Sequence, residues 1–169
     1  GGTTENRNRF VLKVMGAIID AIGGQKAAIR LSPTSTYNNI FHENPIEQFT
    51  SLIHELNTLP LAYVHLMNVR ADTNKYPKYP TQVIETFGCI SSHPIIANCG
   101  YNRESGEAEL EKGIAKIISF GTLFISNPDL PKRFELNLSL ADPDRSTIYG
   151  GNDKGYIDYP FYEQEIPTS

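Results

Sequence analysis

Helix-like and strand-like hydrophobic patterns alternate along this chain, and the alternation restricts the fold more than any single residue does. Apolar residues recur at three- and four-residue spacing before Gly23, and the same spacing returns in 45–57. Short apolar runs of strand character follow each helical pattern. They are 27–31, 61–66, 94–97 and 116–120. This order predicts parallel βα units in a single structural unit over 1–169, rather than a sandwich or a helical bundle.

Caps and breakers set the predicted helix limits. Cap chemistry in residues 3–6 precedes the first helix, and Gly23 and Gly24 close it. Pro45 suits the first turn of the second helix. Further helices are predicted at 81–87, 102–112 and 130–136, and residues 70–80, which contain two prolines, are predicted to form a surface loop.

Composition excludes several classes of protein. With 169 residues and 40% hydrophobic content, the chain can bury a substantial core. A net charge of −4 argues against a nucleic acid or an anionic membrane as partner. Cys89 and Cys99 lack the spacing of a zinc or redox site, and no metal site is predicted. Because no apolar run approaches about 20 residues and no signal peptide is evident, a cytoplasmic protein is expected.

Small residues follow the last two predicted strands. Asn98, Cys99 and Gly100 come after the third strand, and Gly121 and Thr122 after the fourth. In (β/α)8 enzymes, backbone N–H groups at these two places commonly bind a phosphate. A glycine after a strand is also found in ordinary turns, and the periodicity alone leaves an open doubly wound sheet possible. The glycine patterns of dinucleotide-binding and P-loop proteins are absent.

Several longer segments together carry a family resemblance. They are GGTTENRNRF (1–10), AAIRLSP (27–33), YVHL (63–66), PIIANCGY (94–101), FGTLFISNPDLPKRF (120–134) and GYIDYPFYE (155–163). They resemble, in the same order, segments of the old yellow enzyme family: NADH:flavin oxidoreductases, including alkene and N-ethylmaleimide reductases, which use FMN. The resemblance implies an α/β fold that is the C-terminal half, (βα)4, of a (β/α)8 TIM barrel.

The resemblance also implies FMN contacts. Arg30 is similar to the family's arginine at the N1/O2 edge of the flavin; the alternative is an arginine paired with a barrel carboxylate. Asn98, Cys99 and Gly100 correspond to the phosphate-binding turn after the third strand.

Two positions depart from the family pattern. Cys99 replaces a glycine, and Thr122, after Gly121, replaces an arginine on the phosphate. Loss of that arginine contact should cost about 1.5–3 kcal/mol, roughly ten- to a hundredfold in FMN affinity.

Substrate groups are mostly expected outside this sequence. The family's histidine pair and proton-donating tyrosine belong to its first half, so no catalytic residue is predicted here. The four histidines (His42, His54, His65 and His93) are interpreted as structural. Tyr149 is similar to a residue near the family's substrate site, and the alternative is packing against the C-terminal tail.

Two hypotheses of function follow. In one, the chain is part of an ene-reductase that reduces enone-type C=C bonds through FMN and is recharged by NAD(P)H. In the other, it is a non-catalytic half-barrel from a truncated or decayed gene. Gly1 is not an initiator methionine, so it is an engineered end, a processing site or the start of a fragment. The first and fourth strands should be open edges that pair with the protein's own N-terminal half or with a second copy.

Overall fold

The computed structural model of the protein describes residues 1–69, 72, 74–150 and 152–162. Parts of two sequence predictions, at residues 70, 71 and 73 of the loop and at Glu163 of the last family-like segment, lie outside these ranges. The chain divides into two compact units, Gly1–Ser119 and Phe120–Ser169. Whether they form the single domain expected from the sequence stays a prediction.

Among its described residues, the first unit contains four strands and three α-helices. Their bounds are α1 (Thr4–Ile22), β1 (Ala28–Leu31), α2 (Pro45–Leu56), β2 (Tyr63–Met67), β3 (Ile95–Asn98), α3 (Arg103–Glu111) and β4 (Ala115–Ser119). Every predicted strand is present within two residues of its expected limits. The helix predicted at 81–87 is instead a π-helical turn, Ile84–Gly88.

Local chemistry explains where the helices begin and end. The Thr3 side chain accepts a hydrogen bond from the Asn6 amide at the start of α1, and Gly23 ends this helix at a φ of 84°. Asn102 and Ser105 form a reciprocal capping box at the start of α3.

The four strands form one parallel sheet in the order β1-β2-β3-β4. Ile29 pairs with Val64, and Val64 with Ile95. One irregularity follows: Ile95 pairs with Ala115 but Ile96 with Ile117, so Lys116 is an extra residue in β4. Because all strands run the same way, their carboxyl ends lie at one edge of the sheet.

One face of this sheet packs on the helices and forms the core. Its side chains alternate along the strands with those of the opposite face. The core contains Met15 of α1, the α2 residues Phe49, Leu52, Ile53 and Leu56, and the strand residues Leu31, Val64, Leu66, Ile95 and Ala97.

The opposite face is much more open. It carries Arg30, Tyr63, His65, Asn98 and Ile117, of which Ile117 is 55% exposed. None of the helices in the described ranges combines the length and hydrophobicity needed to cross a membrane.

The described part of the second unit contains two short α-helices, α4 (Thr122–Ser126) and α5 (Leu130–Glu135). The sequence predicted α5 but not α4. A fully buried arginine, Arg133, organises the turns that follow: its Nε donates to Asp129 at 2.7 Å, and its other nitrogens donate to the carbonyls of Ser139 and Pro160. Its guanidinium also lies 5.5 Å from the centre of the Tyr162 ring.

We predict that Arg133→Met destabilises the second unit by about 3 kcal/mol, because it leaves the Asp129 carboxylate buried without its partner. Lys132→Met, which removes an exposed charge from the same helix, should cost less than about 1 kcal/mol. Urea unfolding monitored by NMR signals of residues in this unit checks the difference. Equal losses of stability in the two variants would contradict the stabilising role of the buried Arg133–Asp129 ion pair.

This ion pair also predicts a pH dependence. Burial raises the pKa of Asp129, but hydrogen bonds from Arg133 and from the Tyr162 amide outweigh it and hold that pKa below its ordinary value. The resulting stabilisation is therefore complete above the unfolded-state pKa, about 3.9, and is lost as the pH falls through the lower folded-state value. Arg133→Met should remove most of this acid-dependent loss.

Candidate functional site at the carboxyl edge of the sheet

Arg30 crosses the open face of the sheet to reach Asn98. It lies on β1 opposite His65 of β2, and its Nη2 donates to Asn98 Oδ1 of β3 at 2.8 Å. The guanidinium therefore extends over β2 toward the carboxyl end of β3. An exposed, flexible cation is thereby held at one place on the sheet.

Asn98 links this arginine to the last strand. Its Nδ2 donates to the backbone carbonyl of Ser119 at 2.9 Å. The Ser119 hydroxyl is in turn 2.9 Å from Nε2 of His65. Side chains from all four strands, Arg30, His65, Asn98 and Ser119, thus form one polar group on the open face.

The charge of Arg30 is not compensated by an acid in the described part of the chain. Among those residues it forms no ion pair with a carboxylate, and its hydrogen-bond acceptor is a neutral amide. Burial lowers the pKa of His65, and the Arg30 charge lowers it further. His65 is therefore neutral at pH 7, and the group carries one net positive charge that is available to an anionic or electron-rich ligand.

The turn after β3 exposes its backbone. Cys99 has a φ of 84° and Gly100 a φ of 81°, both in the region that favours glycine. Space is open where a Cβ would stand on Gly100, and this residue is exposed. Gly100 thus leaves open space beside this turn, while Cys99 is strained because it has a side chain.

The second turn belongs to the other compact unit. Gly121 precedes α4, its carbonyl accepts from the Phe124 amide at 2.9 Å, and no atom lies within 4 Å of where its Cβ would stand. Thr122 is exposed at the first position of α4. These two residues have the accessibility that a phosphate contact requires, and the phosphate role itself stays a prediction.

Tyr149 is 90% exposed and adopts a φ of 73°. Its backbone amide donates to the Tyr156 hydroxyl at 3.0 Å. Its ring is thus not packed on the described tail residues, which weakens the packing alternative. The substrate role of Tyr149 stays a prediction.

Sequence reasoning did not include His65 and Ser119 among the site residues. The alternation of side chains along each strand contained the signal. Once the strands are placed side by side, His65 lies on the same face of the sheet as Arg30, and Ser119 lies on the same face as Asn98. The cross-strand register, which no single segment contains, brings them together. Across the described ranges, no group of three or more His, Cys, Asp or Glu side chains is placed to hold a metal ion.

Comparison with known proteins shows the family of the chain. Residues 1–141 match the NADH:flavin oxidoreductase / NADH oxidase family. The chain belongs to this family. The predicted family resemblance is confirmed. Because the similar solved structures are TIM barrels, the four-stranded parallel sheet corresponds to half of such a barrel.

Individual relatives agree with this assignment. The chain is 35% identical over 166 residues to 12-oxophytodienoate reductase 1 of Oryza sativa subsp. japonica, covering 97% of this chain and 44% of that protein. The old yellow enzyme from Trypanosoma cruzi superposes with a TM-score of 0.87 at 27% identity, covering 95% of this chain and 42% of the other. Morphinone reductase in complex with tetrahydroNAD superposes with a TM-score of 0.84 at 35% identity, covering 95% and 42%. The chain thus spans less than half the length of each.

Strain at Cys99 gives a testable prediction. Cys99→Gly should stabilise the first unit by about 1 kcal/mol, because glycine accepts the positive φ of 84° without a Cβ clash. Cys89 provides the matched control, since its φ is −63° and Cys89→Gly should destabilise by about 0.5–1 kcal/mol. Chemical unfolding of both variants checks the prediction, and an equal destabilisation by the two substitutions would contradict it.

Proposed function

We propose that this chain is the C-terminal part of an FMN-dependent oxidoreductase that reduces activated C=C bonds of enone-type substrates, with NAD(P)H as reductant. The observation that carries the proposal is the uncompensated charge of Arg30 at the carboxyl edge of the sheet. A cation there stabilises the negative charge of a reduced flavin. Membership of the flavin oxidoreductase family and likeness to a morphinone reductase that binds tetrahydroNAD support it.

The described residues fit FMN at the flavin edge. Arg30 offers a positioned cation to the N1/O2 edge, and the open space beside Gly100 leaves room for a phosphate at the turn of Cys99 and Gly100. For Gly121 and Thr122 of the second unit we propose a phosphate contact, and for Tyr149 a substrate contact, both from the family resemblance. Bound FMN would supply the hydride for C=C reduction.

A second candidate function has its own support. Cys99 strains the phosphate-binding turn, and Thr122 offers a hydroxyl where relatives of this family are expected to place an arginine. Both features favour a half-barrel that has lost tight FMN binding and has no redox activity. Flavin binding by the chain separates the two candidates.

The decisive experiment is an FMN titration of the purified chain, followed by flavin fluorescence and the visible spectrum. We expect saturable FMN binding, and we expect Thr122→Arg to tighten it roughly ten- to a hundredfold by restoring a charge-assisted phosphate contact. The control is Thr58→Arg, which adds the same charge to an exposed residue between α2 and β2, at the amino end of the strands.

The outcomes distinguish the candidates. Equal gains from Thr122→Arg and Thr58→Arg would show general attraction between FMN and added charge, and would remove Thr122 from the phosphate site. If the parent chain is colourless, and if neither it nor the Thr122→Arg variant changes flavin fluorescence, the result would support the non-catalytic half-barrel.

We propose that the preferred partner of the chain is the part of the barrel that its relatives have beyond the region matched by this chain. Among the described strands, β1 and β4 each have a neighbour on one side only. The helix before β1 carries an apolar stripe at four-residue spacing, which consists of Phe10, Val14, Ile18 and Ile22 and is 37–74% exposed. A preceding βα unit would pair with β1 and cover this stripe, as neighbouring units do in a barrel.

Without that partner, we expect the chain to associate with itself, because the open sheet face exposes Ile117 beside an unpaired β4 edge. Sedimentation velocity over a range of concentrations should show oligomers. Ile117→Lys should shift them toward monomer, whereas Ile157→Lys, at a 78% exposed isoleucine of the second unit, should not. A stable parent monomer at all concentrations would refute the expectation.

A further inference from the structure

We infer that Asn98 is a positioning residue: its side-chain amide holds the Arg30 guanidinium at the carboxyl edge of the sheet while leaving the positive charge intact for FMN. The inference rests on the proposed function for the identity of the ligand. The positioning itself rests on contacts within the first unit alone.

The reach of Arg30 requires an anchor. Arg30 pairs with His65, and His65 pairs with Ile96, two residues before Asn98 on the same face of β3. The Arg30 and Asn98 side chains together therefore bridge two strand spacings, roughly 10 Å, across an exposed surface. A long side chain with many rotamers would otherwise sample solvent, so the 2.8 Å contact with Asn98 Oδ1 determines where the charge lies.

The orientation of the Asn98 amide follows from its two partners. Its Oδ1 accepts from the guanidinium, which has only donors, and its Nδ2 donates to the Ser119 carbonyl, which has only acceptors. Rotating the amide by 180° would place donor against donor and acceptor against acceptor. The Ser119 carbonyl belongs to β4, so the anchor is fixed to the sheet backbone.

The neutrality of Asn98 is what distinguishes it from an ordinary arginine partner. An aspartate at this place would bind the guanidinium more strongly but would cancel its charge. An amide fixes the same geometry without adding a negative charge. For an electron-rich ligand, an arginine held by an amide is the better binding group. Asn98→Asp removes the neutrality together with the donation to the Ser119 carbonyl, whereas Asn98→Ala removes the contact with Arg30 without adding a charge.

The first measurement needs no flavin. NMR titration of His65 in the ligand-free chain reports the position of Arg30, because the guanidinium lies over β2 and its charge lowers the His65 pKa. We expect that pKa to rise in Asn98→Asp, where a carboxylate offsets Arg30, and in Asn98→Ala, where Arg30 is released. Arg30→Gln gives the His65 pKa without the Arg30 charge, and Asn98→Ala should approach that value. The same His65 titration in the parent and in Asn98→Ala would overturn the inference.

The second measurement is FMN affinity in the same variants. We expect Asn98→Ala to weaken binding about tenfold and Asn98→Asp at least as much, since each removes a charge-assisted contact or its charge. The control is Gln25→Glu, an isosteric amide-to-acid change at an exposed residue before β1, at the opposite end of the strands; it should retain parental affinity. Thermal unfolding verifies that all variants fold.

The two measurements separate the inference from the proposed function. If the parent fails to bind FMN while His65 responds to Asn98→Ala, the flavin proposal fails and the positioning by Asn98 stands. If the parent binds FMN and the Asn98 variants bind it equally well, Asn98 does not position Arg30 for this ligand and the inference is overturned.

Discussion

The parallel register of four strands is the constraint on which the chemistry of this chain depends. Parallel pairing in consecutive order brings the carboxyl ends of β1 to β4 to one edge of the sheet. The period of two then places Arg30, His65, Asn98 and Ser119 on one face near that edge. A shift by one residue in any strand would move its polar residue into the core, where an uncompensated arginine is not tolerated.

The two faces of the sheet have different physical roles. The buried face packs Val64, Leu66 and Ile95 against the helices and provides the stability of the first unit. The open face carries polar groups linked to one another, with apolar residues such as Ile117 left exposed. In a barrel relative of about twice this length, such a face is the interior, which explains how one surface combines apolar exposure with an ordered charge.

Much of the fold could be predicted from sequence because local signals sufficed. The α1 cap, Pro45 and the apolar strand runs each identified an element without knowledge of its neighbours. The observed strand limits differ from the predicted ones where pairing between strands determines them. For example, β3 begins at Ile95 because Pro94 has no amide to donate, although its carbonyl accepts a hydrogen bond from the Val64 amide.

The site was less predictable from the sequence than the fold. Arg30 and Asn98 were identified by resemblance, but their contact and the inclusion of His65 and Ser119 depend on cross-strand register, and α4 is too short for a periodic signal.

The central claim is that Arg30 is an uncompensated cation placed for FMN. Equilibrium FMN binding by Arg30→Gln and Arg30→Lys, each compared with the parent chain, tests it most directly. The account predicts that Arg30→Gln weakens binding about tenfold or more and that Arg30→Lys, which keeps the charge but not the planar fork, lies between it and the parent. Equal FMN affinity of the parent and Arg30→Gln would contradict the account.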